Sequence, residues 1–460
     1  MTSCVLGGGT AVNAGIFLKP QAWDWDYNFP SGWKASDMAP ATERVFSKIP
    51  STDNPSTNGI RYMQEAYEIV SGFLTAAGWT SVTANQSPDA KNRTFSRSPF
   101  MFVNGERAGA LVAYFQAARA RGNFEIVHST TVRRVIRTGG AITGVEVLAT
   151  NEQGKTGLYT VASGCGKVIL SAGAFGTPKI LFRSGIGPTD QLEIVRASSA
   201  DGATMTSADQ WITLPVGYNF HDHASTEVVI RDPRVVNYDF IGAFDNPLPA
   251  DRDLYLSRRA GILATAAPGP NTLFWESVTP SDGIPRELQW TVRAEGSLGS
   301  TGQNLATLSQ YIGTGSVSRG RVTITPNLDI HVSVSPYVTD PNDVEAVIMG
   351  VKSLMTAAAA TNITFIHPAP GTSIDDYVNS YTGPRGVNHL MGTCKIGNDD
   401  GRIGGGSTGS VVDANTMVYG TKNLFVVDAS VFPGQMSTNP QASIMIVAER
   451  AVERILDLTC

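Results

Sequence analysis

The sequence predicts an α/β, Rossmann-like nucleotide-binding domain interrupted by an α+β domain built on an antiparallel sheet. Three observations predict it. "CVLGGGTAVNAGIF" (residues 4–17) runs three glycines into a small-residue segment, which suits a loop that brings backbone close to a phosphate at a helix start. "KVILSAGAFGTPKILFRSG" (residues 167–185) reads as a buried strand, a small-residue turn and a helix, the repeating unit of nucleotide-binding sheets. From 231 to 337, strand-like runs alternate apolar and polar residues between turn residues, the two-residue period of antiparallel strands.

Only residues 1–3 precede the segment 4–17, where a nucleotide-binding unit places an apolar strand. Residues 19–56, rich in Pro, Trp and Asp, read as an irregular covering segment. Within residues 59–79, Ile60, Met63, Tyr67, Val70 and Leu74 recur at intervals of three and four, an amphipathic helix that stops near Gly78. A second helix, 109–121, precedes a short strand at 124–127. "TVRRVIRTGGAITGVEVLAT" (residues 131–150) is a hairpin by its alternation and its Gly139-Gly140 turn. The strand at 168–170 feeds a helix starting near Thr177 and Pro178, since proline suits a first helical position. A helix at 343–360, a buried strand within 423–430 and a helix at 443–458 complete the pattern. The chain divides accordingly into 1–20 and 105–225 on the nucleotide side, 21–104 as cover on the substrate side, 226–384 as the substrate domain, and 385–460 returning to the nucleotide side.

At 460 residues, with 42% hydrophobic and 16% charged residues, the chain can bury a sizeable core as two or three domains. A net charge of −5 excludes a basic field for nucleic acid or an anionic membrane. No apolar run reaches membrane-spanning length. The N-terminus lacks the basic flank and apolar core of a signal peptide, so if the protein is secreted its signal must lie upstream of Met1. The four cysteines, Cys4, Cys165, Cys394 and Cys460, stand too far apart for a CxxC motif. Asn-x-Ser/Thr triplets at Asn85, Asn92 and Asn362 favour an extracellular location.

Two segments carry chemistry. In "STNPQASIMIVAERAVERIL" (residues 437–456), Asn439 stands where a helix cap belongs and Pro440 at the first helical position. Asn439 is therefore either a cap or a side chain beside a ligand at a positive helix end. In "GVNHLMGTCKIG" (residues 386–397), Asn388 and His389 sit between glycines. His389, one of six histidines, is either a structural residue or a neutral base for an alcohol proton. His221 and His223 in "FHDH" lack a third ligand at suitable spacing, so no metal is expected. Cys394 lies in an apolar stretch and reads as a packed thiol.

"LGGGTAVNAG", "SAGAFGTPKIL", "SGIGP", "LPVGYNFHDH", "NHLMGTCKIG", "NLFVVDAS" and "STNPQAS" occur in this order over nearly the whole chain. Together they resemble the glucose-methanol-choline (GMC) family of FAD oxidoreductases. With "IPSTDNPST" (49–57), "NGERAG" (104–109), "SGIGPTDQ" (184–191) and the Asn-His pair, the chain looks most like the flavodehydrogenase domain of fungal cellobiose dehydrogenases. In that family the "GGGT…N" loop is a later phosphate loop, preceded by a GxGxxG strand-turn-helix unit. The resemblance thus implies an N-terminally truncated FAD-binding domain. It implies that Gly8, Gly9, Thr10, Asn13 and Ala14 line the flavin, that Val132 meets the adenine, and that Ala172 and Gly173 flank the cofactor. Asp428 and Ala429 are implied near the ribityl-diphosphate, and Asn439 beside the flavin ring. His389 and Asn439 are the implied catalytic pair, with Asn388 on a sugar substrate. The implied reaction takes the anomeric C1 hydroxyl of a cellobiose-like sugar to its lactone. A cytochrome domain, quinone or other acceptor would take the electrons, outside the cell. The alternatives are a GMC enzyme for another alcohol or aldose, and an inactive remnant or sugar-binding protein.

Overall fold

The computed structural model describes residues 4–266 and 271–459. Its largest sheet has seven strands, in the order Thr80–Ser81, Thr94–Arg97, Thr272–Val278, Arg286–Arg293, Leu305–Ile312, Ala224–Arg231 and Thr364–His367. Every pairing is antiparallel except the first. Two of these strands come from the segment read as cover, which is therefore woven into the substrate-side sheet.

The strand Arg286–Arg293, "RELQWTVR", shows how the sheet is used. It alternates polar and apolar residues, as a half-exposed strand does, yet nearly all of it is buried. Trp290 and Val292 join Phe274, Val228, Ile230 and Leu308 against the helices Glu65–Ala76 and Pro341–Ala358. The opposite face carries Gln289 and Thr291, with Trp275 opposite Gln289 and Tyr311 opposite Gln289 on the neighbouring strands. One sheet face is thus apolar and covered by helices. The other lays buried polar side chains in a row, and buried polar groups demand partners.

The nucleotide side is built on a parallel pair, Val168–Leu170 beside Leu424–Val426, with the helices Gly173–Arg183 and Gln441–Leu456 sharing its core. The hairpin Thr130–Thr138/Ala141–Ala149 packs Val135 and Ile142 into the same core. Among the described residues no helix is long and apolar enough to cross a membrane.

Several expected elements shift for identifiable reasons. The helix expected from residue 59 starts at Glu65, because Met63 adopts φ 57° and Ile60 faces solvent. Residues 109–121 form a π-helical turn, Leu111–Phe115, followed by Gln116–Arg119. Residues 124–127 form no strand. The helix expected near Pro178 starts at Gly173, because the Asp428 carboxylate accepts from the Gly173 N–H at 2.8 Å and Pro178 is absorbed inside. The last helix begins at Gln441, so Asn439 precedes its cap position, which Pro440 fills without a side-chain bond. Cys394 is a buried free thiol whose pKa burial pushes up; Cys165 is disulfide-bonded, and Cys460 lies outside the described residues. Of the three glycosylation triplets, Asn85 has its amide nitrogen engaged by Phe17 O and Ser51 Oγ, while Asn92 and Asn362 are exposed.

Candidate active site

His389 is placed from below by Asp222. The Asp222 carboxylate accepts from the backbone N–H of His389 at 2.8 Å and of Val387 at 3.1 Å, and from the Tyr337 hydroxyl at 2.9 Å. Burial pushes this carboxyl up to about 6, against the pull of those donors. Bridges His221↔Met391 and Ala224↔Gly386 tie the His389 loop to the start of a sheet strand. Asn388 bulges outward at φ 63°, in the left-handed region asparagine tolerates, and is exposed beside the histidine.

Asn439 arrives from the other side, on a loop held by a second buried carboxylate. Asp24 accepts from Ser437 N at 2.9 Å, Ser437 Oγ at 2.6 Å, Thr314 Oγ1 at 2.5 Å and Gln21 N at 3.2 Å. Burial raises its pKa against these four donors.

The two side chains meet. Asn439 Nδ2 lies 3.2 Å from His389 Nε2, while Gln289 Nε2 donates to Asn439 Oδ1 at 2.7 Å. Behind the histidine, His389 Nδ1 lies 2.9 Å from His223 Nδ1, and His223 Nε2 lies 2.7 Å from the Met436 carbonyl. Tyr311 stands edge-on to the His389 ring at 5.9 Å. His389 keeps a partly exposed face, yet enough protein surrounds the ring that burial, reinforced by His223, holds its pKa well below the ordinary 6.5. Burial likewise lowers His223 to about 4. Both rings are neutral near pH 7, the state a base requires. An imidazole nitrogen and an amide N–H that meet at one point can receive a hydroxyl: the nitrogen takes its proton, the amide holds its oxygen. The Gln435 amide and Thr438 hydroxyl, on the same loop, are buried without a protein partner.

Asn439 aside, the residues expected at a cofactor surround a more open surface. Gly8, Gly9 and Thr10 form a short 3-10 turn, and Asn13 and Ala14 are exposed beyond it. The Asn13 amide donates to Gln441 in the first turn of the last helix, tying loop to active-site helix. Arg107 donates to Thr10 O, Asn13 Oδ1 and Asn13 O. A Cβ on Gly8, Gly9 or Gly173 would meet nothing within 4 Å. Asp428 accepts from Gly173 N, Thr177 Oγ1, Ser430 N and Ser430 Oγ, so it pins the helix start and the Ala429 turn through its side chain. Ala172 is exposed at that helix start, and Val132 lines a groove with Ile169 and Leu170. This donor set fits a flavin nucleotide: glycine backbone with room above it, and a guanidinium that binds only carbonyl oxygens and so retains its charge for an anion.

Sequence reasoning missed Gln289, His223 as a partner of His389, Asp222, Asp24 and Gln441. His223 was legible only as half of "FHDH", and Gln289 only as a polar residue in an alternating strand. His221 and His223 do not converge: His221 Nδ1 turns back to Asn219 O, and His223 faces His389.

The sequence matches the family described as GMC oxidoreductase in two blocks, its N-terminal part over residues 1–225 and its C-terminal part over residues 316–448. It is 26% identical over 419 residues to the glucose-methanol-choline family oxidoreductase mfmG of Annulohypoxylon moriforme, covering 85% of this chain and 64% of that protein. The chain thus spans less than two thirds of that relative. It is 24% identical over 484 residues to an oxygen-dependent choline dehydrogenase of Rhizobium rhizogenes, covering 98% of this chain and 81% of the relative. Among solved structures, a formate oxidase of Aspergillus oryzae described for its FAD modification aligns with a TM-score of 0.78 at 18% identity, over 99% of this chain and 84% of its own. That likeness establishes the fold.

Proposed function

Because this chain belongs to the GMC oxidoreductase family, whose cofactor is FAD, we propose that it oxidises a CH–OH group with His389 as the base and Asn439 as the donor to the hydroxyl oxygen. The observation that carries this reading is the 3.2 Å approach of Asn439 Nδ2 to His389 Nε2 on loops fixed by Asp24 and Asp222. FAD, when bound, supplies the acceptor for the hydrogen and electron pair that leave the carbinol carbon. The protein's own groups handle the proton. His389 Nε2 takes it from the hydroxyl, and burial keeps the ring neutral and ready at physiological pH.

For the substrate we favour the anomeric hydroxyl of a β-1,4-linked disaccharide. Support comes from the "IPSTDNPST" and Asn388-His389 resemblance and from the polar sheet face beside the pair. That face also disfavours an organic cation. Glu227 is already paired with Arg293 at 2.8 Å, and the Arg385 guanidinium lies 4.2 Å from the Tyr381 ring centre. A small primary alcohol is the second reading, favoured by the match to a choline dehydrogenase.

Anaerobic bleaching of the flavin in FAD-reconstituted protein separates them. Cellobiose and lactose should bleach faster than choline, benzyl alcohol or methanol. Bleaching by the small alcohols and none by cellobiose would select the second reading, and bleaching by none would exclude both.

A further inference from the structure

We propose that a one-way hydrogen-bond chain runs from the Trp275 indole through Gln289, Asn439, His389 and His223 to the Met436 carbonyl, and that it fixes the proton of neutral His389 on Nδ1 and leaves Nε2 bare. The inference deepens the assignment of His389 as base, on which its catalytic meaning rests. Its structural content is independent of any substrate.

Both ends of the chain lack freedom. An indole N–H can only donate, and Trp275 Nε1 lies 3.3 Å from Gln289 Oε1. That contact fixes the Gln289 amide with its nitrogen towards Asn439 Oδ1, at 2.7 Å. Asn439 must then turn its own nitrogen to His389 Nε2, at 3.2 Å, and a nitrogen facing an N–H donor must be unprotonated. At the other end a carbonyl can only accept, so His223 carries its proton on Nε2, 2.7 Å from Met436 O. Neutral His223 therefore offers a bare Nδ1, and the 2.9 Å contact with His389 requires the proton on His389 Nδ1. Two independent deductions, one from each end, reach the same tautomer.

The fold supplies the alignment. Trp275 and Gln289 are paired residues on adjacent strands, so their side chains emerge side by side on one face. Lys91, buried with its ammonium nitrogen unpartnered, lies over the Trp275 ring at 4.2 Å from the centroid. Its lowered pKa of about 8 still leaves it mostly charged at neutral pH. A cation over the ring face draws on its electron density and strengthens the indole N–H as a donor. Gln289, Trp275 and His223 are positioning residues: they act on the reacting hydroxyl only through Asn439 and His389.

The test labels the six histidines of the full chain with 15N and reads each tautomer from two-bond nitrogen–proton correlations at neutral pH. The His389 signals are identified by their loss in His389→Gln. In the wild type the proton should sit on Nδ1. His223→Gln keeps one acceptor and one donor in place of the ring nitrogens and should preserve that tautomer. Gln289→Glu, combined with His223→Leu to release the other end of the chain, keeps the shape at 289 but, once ionised, has no donor for Asn439; Asn439 then turns, and the His389 proton should move to Nε2. In FAD-loaded protein the same variant should slow substrate-driven flavin reduction by ~10² or more, the scale of a base held in the wrong tautomer. Its rate should recover as pH falls and the new carboxyl regains its proton. A wild-type proton on Nε2, or an unchanged Nδ1 proton in the ionised double variant, would overturn the proposal.

Discussion

On the sheet side of the candidate site, His389, His223, Asn439 and Gln289 each meet a defined partner inside the protein. On the glycine-loop side, Gly9, Asn13, Ala14 and Ala172 face outward, and Arg107 donates only to carbonyl and amide oxygens. The first region is preorganised for a proton; the second is shaped to be completed by an anion. Charge chemistry that must be exact in direction is held by side chains in a rigid register. Binding of a large nucleotide is left to backbone and space, where fewer intramolecular bonds must be broken to admit it.

The largest expected effect strikes the sheet side. His389→Ala should slow flavin reduction by ~10²–10⁴, the usual contribution of a positioned base, while leaving FAD content unchanged. The wild-type pH profile gives a finer reading. A base works deprotonated, so its activity is lost as pH falls through its pKa, and burial sets that pKa well below 6.5. Reduction should therefore hold its plateau through pH 6.5 and fall only in more acid solution. Stopped-flow measurements across pH check both; an acid limb centred at 6.5 would mean that the ring is solvated.

Next comes the carboxylate that carries the Asn439 loop. Asp24→Ala leaves donors on Ser437 and Gln21 buried without their acceptor, while the Thr314 hydroxyl keeps only the Gln435 carbonyl. Stability should fall by about 3 kcal/mol, since each orphaned buried donor costs roughly 1–3 and the costs overlap. Asp24→Asn keeps one carbonyl oxygen for the three donors on Oδ1 and should recover part of the loss. Urea denaturation reads both, and equal stability for all three proteins would detach Asp24 from the loop.

Much of the same contrast was readable before any coordinates. His389 and Asn439 stand in motifs whose glycine, proline and polar spacing is local, so one segment of sequence contains the whole signal. Gln289 is different: its meaning depends on strand register with Trp275 and Tyr311, residues 14 and 22 positions away whose pairing no local pattern specifies. The helix starts were misread for a similar reason. Pro178 reads as a first-turn residue, but Asp428, from a distant strand end, sets the start at Gly173. Asn439 reads as a cap because its spacing is right, yet its amide is engaged by His389 and Gln289.

A third effect should fall on the loop side alone. FAD at a hundred times its Kd can protect the elements it touches by up to about 2.7 kcal/mol. Amide exchange should slow in residues 4–15, 107–113 and 172–176 on adding FAD. Exchange in the strands Arg286–Arg293 and Leu305–Ile312 should change little, because their hydrogen bonds are already complete. Equal protection of both regions would show that the sheet side too is ordered by the cofactor, and the contrast would fail.

The smallest effect tests where the boundary runs. Thr177 is buried at the start of the helix Gly173–Arg183, where its hydroxyl donates to Asp428 Oδ2 at 2.5 Å and accepts from Ala172 N at 3.2 Å. Thr177→Val keeps the volume and removes both bonds. Asp428 still receives Gly173 N and both Ser430 donors, and the exposed Ala172 N–H can turn to water, so the loss should be about 1 kcal/mol. The denaturation midpoint should drop with an unchanged slope, the sign of altered stability without altered compactness. FAD affinity should stay as it was, because Gly173 keeps its φ of 77° and its bond to Asp428. If affinity falls tenfold while stability barely moves, Thr177 belongs to the cofactor cradle rather than to the core beneath it, and the preorganised region ends one helical turn further from the nucleotide.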